Sequence, residues 1–298
     1  HCYRSRLFTE ELRRGYDAEI SSCFGAAGAE MSPLKIADCI RHEQIGYLKE
    51  MKVPEGIALN ESLRENVFVL MVCILNKIPV FVVGKPGSSK SLAISLINSN
   101  MRGQDSESPF FKSLPEVKII SYQGSESSTS EGILKIFKKA GEFARAKSSS
   151  GQGEVIPVVL IDEIGLAEFS PFNPLKVLHR LLETEDDRPL DVAVVGISNW
   201  ELDVSKMSRA VYLARPEPSE SELHTTAIDI VTAICGCKNW DTLSSLLFNL
   251  SYCYNEFCRD EGKIGHGDFH GLRDFYSACK YLGHILKNNS VIMYTDIT

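Results

Sequence analysis

The chain has 298 residues, 24% charged and 44% apolar, with 39 acids against 32 bases for a net charge of −7. This composition suits a folded protein with one large domain or two ordinary ones, and it argues against duplex binding, which needs a basic surplus or stripe. No run approaches the roughly 18 apolar residues of a membrane span. The opening His1 to Arg6 carries neither an initiating Met nor a signal-type apolar stretch behind it, so a soluble, cytoplasmic piece of a longer chain is expected.

Residues 1–54 read as mainly helical, broken by the small residues Gly25 to Ala29 and by Pro33, and contain no recognisable chemistry. Asn60 then opens a helix whose apolar face runs through Val67, Leu70, Met71, Ile74 and Leu75, and Pro79 stops it. Val80 to Val83 is a short apolar run of the kind found in parallel strands buried on both faces. It leads into a glycine-containing loop and a helix from Leu92. A second strand is predicted over Val117 to Tyr122. Ser128-Thr129-Ser130-Glu131 has capping-box spacing, predicting a helix to about Lys147. Lys135, Lys138, Lys139, Arg145 and Lys147 form its solvated face. Val155 to Ile161 is a third strand, Pro174 to Thr184 a helix, Val192 to Ile197 a fourth strand and Val211 to Leu213 a fifth. Beyond Pro216 and Pro218 only helices are predicted.

Strands alternating with helices predict an α/β fold of the P-loop NTPase type, a parallel sheet with flanking helices, followed by a smaller all-helical lid. The expected divisions are 1–54, a linker or the end of a preceding module; 55–216, the α/β body; and 217–298, the lid.

The loop Gly84-Lys85-Pro86-Gly87-Ser88-Ser89-Lys90-Ser91 lies between strand and helix, the context a P-loop requires. Gly84 and Gly87 allow a tight turn with amides facing phosphates, and the helix N-terminus adds to the anion site. Lys90 would reach the β- and γ-phosphates of ATP and Ser91 would offer a hydroxyl to Mg²⁺. Lys85, Pro86, Ser88, Ser89 and Leu92 complete the candidate binding set. Ser89 stands where a glycine normally precedes the lysine; in a left-handed conformation it costs on the order of 1 kcal/mol. An ordinary polar turn is the other reading of this loop alone.

The third strand ends in Asp162-Glu163. Asp162 can hold Mg²⁺ and Glu163 can polarise the attacking water. Acids there can also be plain turn residues, but ligands of open α/β sheets bind beyond the carboxyl ends of the strands. The fourth strand runs into Asn199, beside those ends, where an amide could orient water; a plain turn asparagine is the other reading. Arg209 has two open readings, an arginine finger for a neighbouring module's nucleotide or a structural ion pair. Arg273, near the start of a late helix, is either a lid contact to the nucleotide or a surface arginine.

The nine cysteines are odd in number and show no disulfide spacing, which suits a reducing compartment. Cys235, Cys237, Cys253 and Cys258, followed by His266 and His270, suggest zinc by residue type. Their spacing is poor for a knuckle, and buried structural thiols are the alternative.

Taken in order, these motifs resemble the AAA+ ATPases. The wording of Val83 to Ala93, Asp162 to Glu168, Gly196 to Trp200 and Gly271 to Tyr276 is similar to one module of the mysterin-like family. These are giant RING-type ubiquitin ligases with a dynein-like AAA+ core. The resemblance covers roughly residues 45–290 and includes the Ser89 departure. It implies the first of two adjacent ATP-competent modules, with Lys90 and Ser91 on phosphate and Mg²⁺, Asp162 and Glu163 as the Walker B pair, Asn199 as first sensor and Arg273 as second. Neighbouring AAA+ modules of the same chain, and ubiquitination machinery through that chain, are the implied partners. No RING finger is present in this segment, and nucleic acid is not expected.

Two functions compete on these residues. One is an ATP-hydrolysing module of a larger E3 ligase. The other is a nucleotide-gated scaffold that binds ATP with little hydrolysis and controls ligase assembly. A P-loop kinase or helicase has less support, since no acceptor motif or basic surface accompanies the loop.

Overall fold

The computed structural model describes residues 3–27, 32–148, 154–182, 192–203, 205, 208–236, 240–264 and 270–295. The chain divides into two compact units. One comprises His1–Lys52, Arg64–Lys85 and Ser89–Glu217; the other comprises Val53–Leu63, Pro86–Ser88 and Pro218–Thr298.

The first unit begins with helices α1 (Glu10–Ala26) and α2 (Pro33–Lys49). Thr9 caps α1 by accepting from the Leu12 amide, and Ser32 caps α2 by accepting from Lys35. Pro33, expected as a break, marks the start of α2, in whose first turn its missing N–H would have had no helical partner. Helix α3 (Glu61–Leu75) follows, capped by the Asn60 side chain, which accepts from the Leu63 amide at 2.9 Å.

Among the described residues five parallel strands form one sheet: β1 (Val80–Val83), β2 (Glu116–Gln123), β3 (Val155–Asp162), β4 (Ala193–Ser198) and β5 (Val211–Ala214). Their order is β2-β3-β4-β1-β5. The chain crosses between them through α4 (Lys90–Asn100), α5 (Pro109–Lys112), α6 (Ser130–Ser148), α7 (Ile164–Glu168) and α8 (Lys176–Leu182). Every residue of β1 and β4 is buried, as the middle of a sheet covered on both faces requires. Phe81, Val159, Ile161, Val194 and Tyr212 share a core with Ile133 and Ala140 of α6 and Leu178 and Leu182 of α8.

Two helix starts differ from expectation. The cap of α6 is Thr129, whose hydroxyl accepts from the Gly132 amide; Ser128 instead closes the preceding loop by accepting from the Ser125 amide. The helix expected from Pro174 starts at Lys176 and is described to Leu182, and Thr184 lies outside the described residues. Lys135, Lys138, Lys139 and Arg145 are exposed along α6.

The second unit holds α9 (Glu220–Cys235), α10 (Trp240–Ile264) and α11 (Leu272–Thr295). Ser219 caps α9 and Gly236, at φ +63, ends it in the left-handed turn that suits glycine. Leu223, Ala227, Ile230, Val231, Leu247, Phe275 and Cys279 form its core. Buried thiols were one reading of the cysteine cluster, but Cys253 is exposed and Cys235 and Cys258 are only partly covered. Helix α10 turns Cys253 away from the face that carries Leu247 and Ser251, both buried. Cys237 and His266 lie outside the described residues. Among the described residues no helix is long and apolar enough to cross a membrane.

Candidate functional site

Strand register brings three candidate segments side by side. Val83, the last residue of β1, pairs with Ser198, the last of β4, and the Gly84 amide donates to the Ser198 carbonyl at 3.2 Å. Ile161 of β3 pairs with Gly196 of β4. Gly84, Asp162 and Asn199 therefore stand at the carboxyl ends of adjacent strands, where open α/β sheets bind ligands. Gly196 has no room for a side chain, since a Cβ there would fall 2.6 Å from the Phe81 ring.

The loop after β1 turns through two left-handed residues, Gly87 at φ +90 and Ser89 at φ +58, ψ 20. Gly87 pays little for this conformation, whereas Ser89 carries roughly 1–2 kcal/mol of strain. Ser89 is the N-cap of α4, yet its side chain does not cap the helix. An N-cap that leaves the first amides to another acceptor suits an anion. Lys90 is buried and its ammonium donates to the carbonyls of Gly84 and of Lys85, the latter at 3.0 Å. Ser91 is exposed and Leu92 half-buried. The Lys85 ammonium sits 2.6 Å from Glu217, an exposed pair.

Pro86–Ser88 group with the helical unit. A Cβ at Gly87 would come within 2.7 Å of the Leu272 Cβ and 3.3 Å of the Arg273 amide nitrogen, so only glycine fits. Pro86 and the Arg273 side chain are exposed, and Ser88 is buried.

At the end of β3, Asp162 accepts the Glu163 amide through Oδ1 at 3.0 Å. Glu163 is itself left-handed, φ 51 and ψ 43, an unusual conformation of the kind that concentrates at functional sites. Its peptide is pressed against Gly124: the Gly124 amide donates to the Asp162 carbonyl at 2.7 Å, and a Cβ on Gly124 would lie 2.3 Å from the Glu163 oxygen. The Asn199 amide donates to both Glu163 oxygens, at 3.0 and 2.9 Å. Asp162 and Ser91 carry hard oxygen donors beside a phosphate-type loop, the donor type that suits Mg²⁺.

Arg209 stands apart. It precedes Val211, which pairs with Val80, so it lies at the opposite end of the strands from Gly84. Its guanidinium donates to the Ser205 carbonyl at 2.8 Å.

Several supporting residues were not singled out from the sequence. Gly165, two residues past Glu163, packs under Ser198 and Trp200. The buried Glu65 carboxylate accepts from Arg13 at 2.9 Å and pairs with Arg215. Arg13 also donates to the Leu7 and Ala214 carbonyls, and the Arg215 amide donates to Val83 next to the loop. Burial alone would raise the Glu65 carboxyl, but the Arg215 and Arg13 guanidiniums outweigh it and hold the group below its ordinary value. No local signal links positions this far apart in sequence.

The family model described as "RNF213 AAA domain" matches residues 56–222. The E3 ubiquitin-protein ligase rnf213-beta of Danio rerio is 41% identical over 296 residues, covering 96% of this chain and 6% of that protein. The E3 ubiquitin-protein ligase RNF213 of Mus musculus is 38% identical over 286 residues, 94% of this chain and 5% of its own length. The Homo sapiens protein of the same name is 40% identical over 250 residues, 82% and 5%. The chain thus spans about one-twentieth of the curated relatives it matches. With the family model covering more than half its length, the chain belongs to the RNF213 AAA domain family.

Proposed function

We propose that this chain is an ATP-binding and ATP-hydrolysing AAA+ module that works within a much longer E3 ubiquitin-protein ligase. The observation that supports it most is the adjacency of three strand ends: the Lys90 loop, Asp162-Glu163 and Asn199, with Asn199 bonded to Glu163. In this reading residues 55–216 are the large subdomain, 217–298 the lid and 1–54 a linker or the end of a preceding module.

Gly84, Lys85, Pro86, Gly87, Ser88, Ser89 and Leu92 would form the cradle for the phosphates, and Lys90 would exchange its carbonyl partners for phosphate oxygens. Ser91 and Asp162 would hold Mg²⁺, which supplies charge neutralisation on the phosphates. Glu163 would polarise the attacking water as general base, and Asn199 would keep that carboxylate oriented. Arg273 would contact nucleotide from the lid. Arg209, at the far end of the strands, is poorly placed for its own site and suits the site of a neighbouring module, as an arginine finger in trans. The partners would be adjacent AAA+ modules and, through the parent chain, ubiquitin-transfer machinery in the cytoplasm.

The scaffold reading keeps one observation in its favour: both Glu163 oxygens are already engaged by Asn199, which would slow proton abstraction. Photo-crosslinking of an azido-ATP to the full-length protein tests nucleotide binding. Lys90→Ala should abolish labelling of this segment, and labelling that survives it would contradict the assignment.

A further inference from the structure

Asn199 is held from both sides by its neighbours. The Ser198 hydroxyl, fully buried, donates to the Trp200 carbonyl at 2.6 Å and accepts from the Trp200 amide at 3.3 Å, clasping the backbone around Asn199. Beneath this clasp lies Gly165. A Cβ on Gly165 would meet Ser198 Oγ at 2.5 Å and the Trp200 indole nitrogen at 2.6 Å. The indole thus occupies the space a side chain at 165 would need.

Two further contacts tie the same pieces together. The Trp200 ring lies 5.9 Å from Phe169, just past α7, and the Asp203 amide donates to Glu168 of α7 at 3.1 Å. Glu163 is the residue from which α7 departs. The segment after β4 is therefore fixed to the segment after β3 at Gly165, Glu168 and Phe169, and the Asn199–Glu163 bond lies within that frame. Trp200 is 37% exposed, so burial of apolar surface alone does not account for it.

We propose that Trp200 is a positioning residue for hydrolysis: with its indole seated on Gly165 and its backbone clasped by Ser198, it sets the Asn199 amide against the Glu163 carboxylate. The proposal rests on the ATP-hydrolysis reading above. A displacement of about 1 Å at such a contact lowers turnover by as much as 100-fold, whereas nucleotide binding depends on the Lys90 loop, which meets this segment through the backbone bond of Gly84 to Ser198 and not through the indole.

The test compares ATP turnover and KM in the full-length protein for Trp200→Ala, Trp200→Phe and Gly165→Ala. Lys90→Ala and Glu163→Gln serve as references that define the turnover due to this site. Trp200→Ala and Gly165→Ala are expected to lower that turnover about tenfold or more with KM changed less than about threefold. Trp200→Phe, which keeps a flat ring on Gly165, should restore at least about half of it. Wild-type turnover in Trp200→Ala would overturn the proposal. So would a parallel loss of turnover and affinity that Trp200→Phe does not rescue, the pattern of a merely structural residue. If Glu163→Gln also leaves turnover unchanged, the hydrolysis reading falls and this inference with it; if Trp200→Ala alone is silent, only the positioning role is lost.

Discussion

Asn199 donates its side-chain amide to both carboxylate oxygens of Glu163, bridging the ends of β4 and β3. A neutral amide in this place orients the carboxylate without adding charge. Asn199→Ala should lower ATP turnover by up to about 100-fold, as a misplacement of about 1 Å at a catalytic group can. Affinity should move little. Steady-state kinetics beside nucleotide titration checks the split.

The strain at Ser89 makes a second prediction. Its φ of +58 is easy for glycine and hard for a β-branched side chain. Ser89→Gly, which sheds the strain of about 1–2 kcal/mol that the serine carries, should leave ATP affinity equal or somewhat tighter, and Ser89→Val, which adds β-branching to that strain, should weaken it. Equal affinities for the two variants would show that the loop relaxes out of the left-handed turn.

The Arg13–Glu65–Arg215 group gives a stability prediction. Glu65→Ala leaves two guanidiniums without their buried counter-charge and should destabilise the first unit by about 3–5 kcal/mol. The Glu65 carboxyl is held below its ordinary value of 4.5, so its stabilisation is present above that pH and lost as pH falls through the folded-state value. Hydrogen-exchange protection across Glu61–Leu75, taken relative to the intrinsic rate at each pH, should fall below about pH 4.5 in the wild type. In Glu65→Gln that pH step should be missing, and its persistence there would assign it to another group.

The cysteines of the helical unit should differ in reactivity. Burial pushes the Cys279 thiol up to about 11, while Cys253 is exposed on α10. Iodoacetamide at pH 8 should modify Cys253 and leave Cys279 unmodified until the unit unfolds. Because the Cys279 value is raised, its contribution to stability is intact below pH 9 and fades as pH climbs through about 11. Peptide mass mapping reads both sites.

The strand pattern was legible because central parallel strands are almost wholly apolar: β1 reads as Val80 to Val83, as it stands, and β4, which reads as Val192 to Ile197, lies one residue later at Ala193–Ser198. The edge strand β2 is longer than its apolar residues suggest, since Glu116 and Gln123 join by backbone pairing alone. The Ser128 signal misled by one residue because two hydroxyls compete there and the loop takes the first. The adjacency of Gly84, Asp162 and Asn199 was readable from strand ends. The left-handed Glu163, the Gly165 seat under Trp200 and the buried Glu65 group were not, since each depends on packing between segments distant in sequence.

In the proposed function this segment binds ATP at Lys90 and hydrolyses it through Glu163. The most direct measurement is the nucleotide retained by, and the ATP turned over by, full-length protein carrying Lys90→Ala or Glu163→Gln. The account predicts that Glu163→Gln retains ATP while turnover falls, and that Lys90→Ala retains no nucleotide in this segment. Retained nucleotide and turnover at wild-type levels in both variants would contradict it.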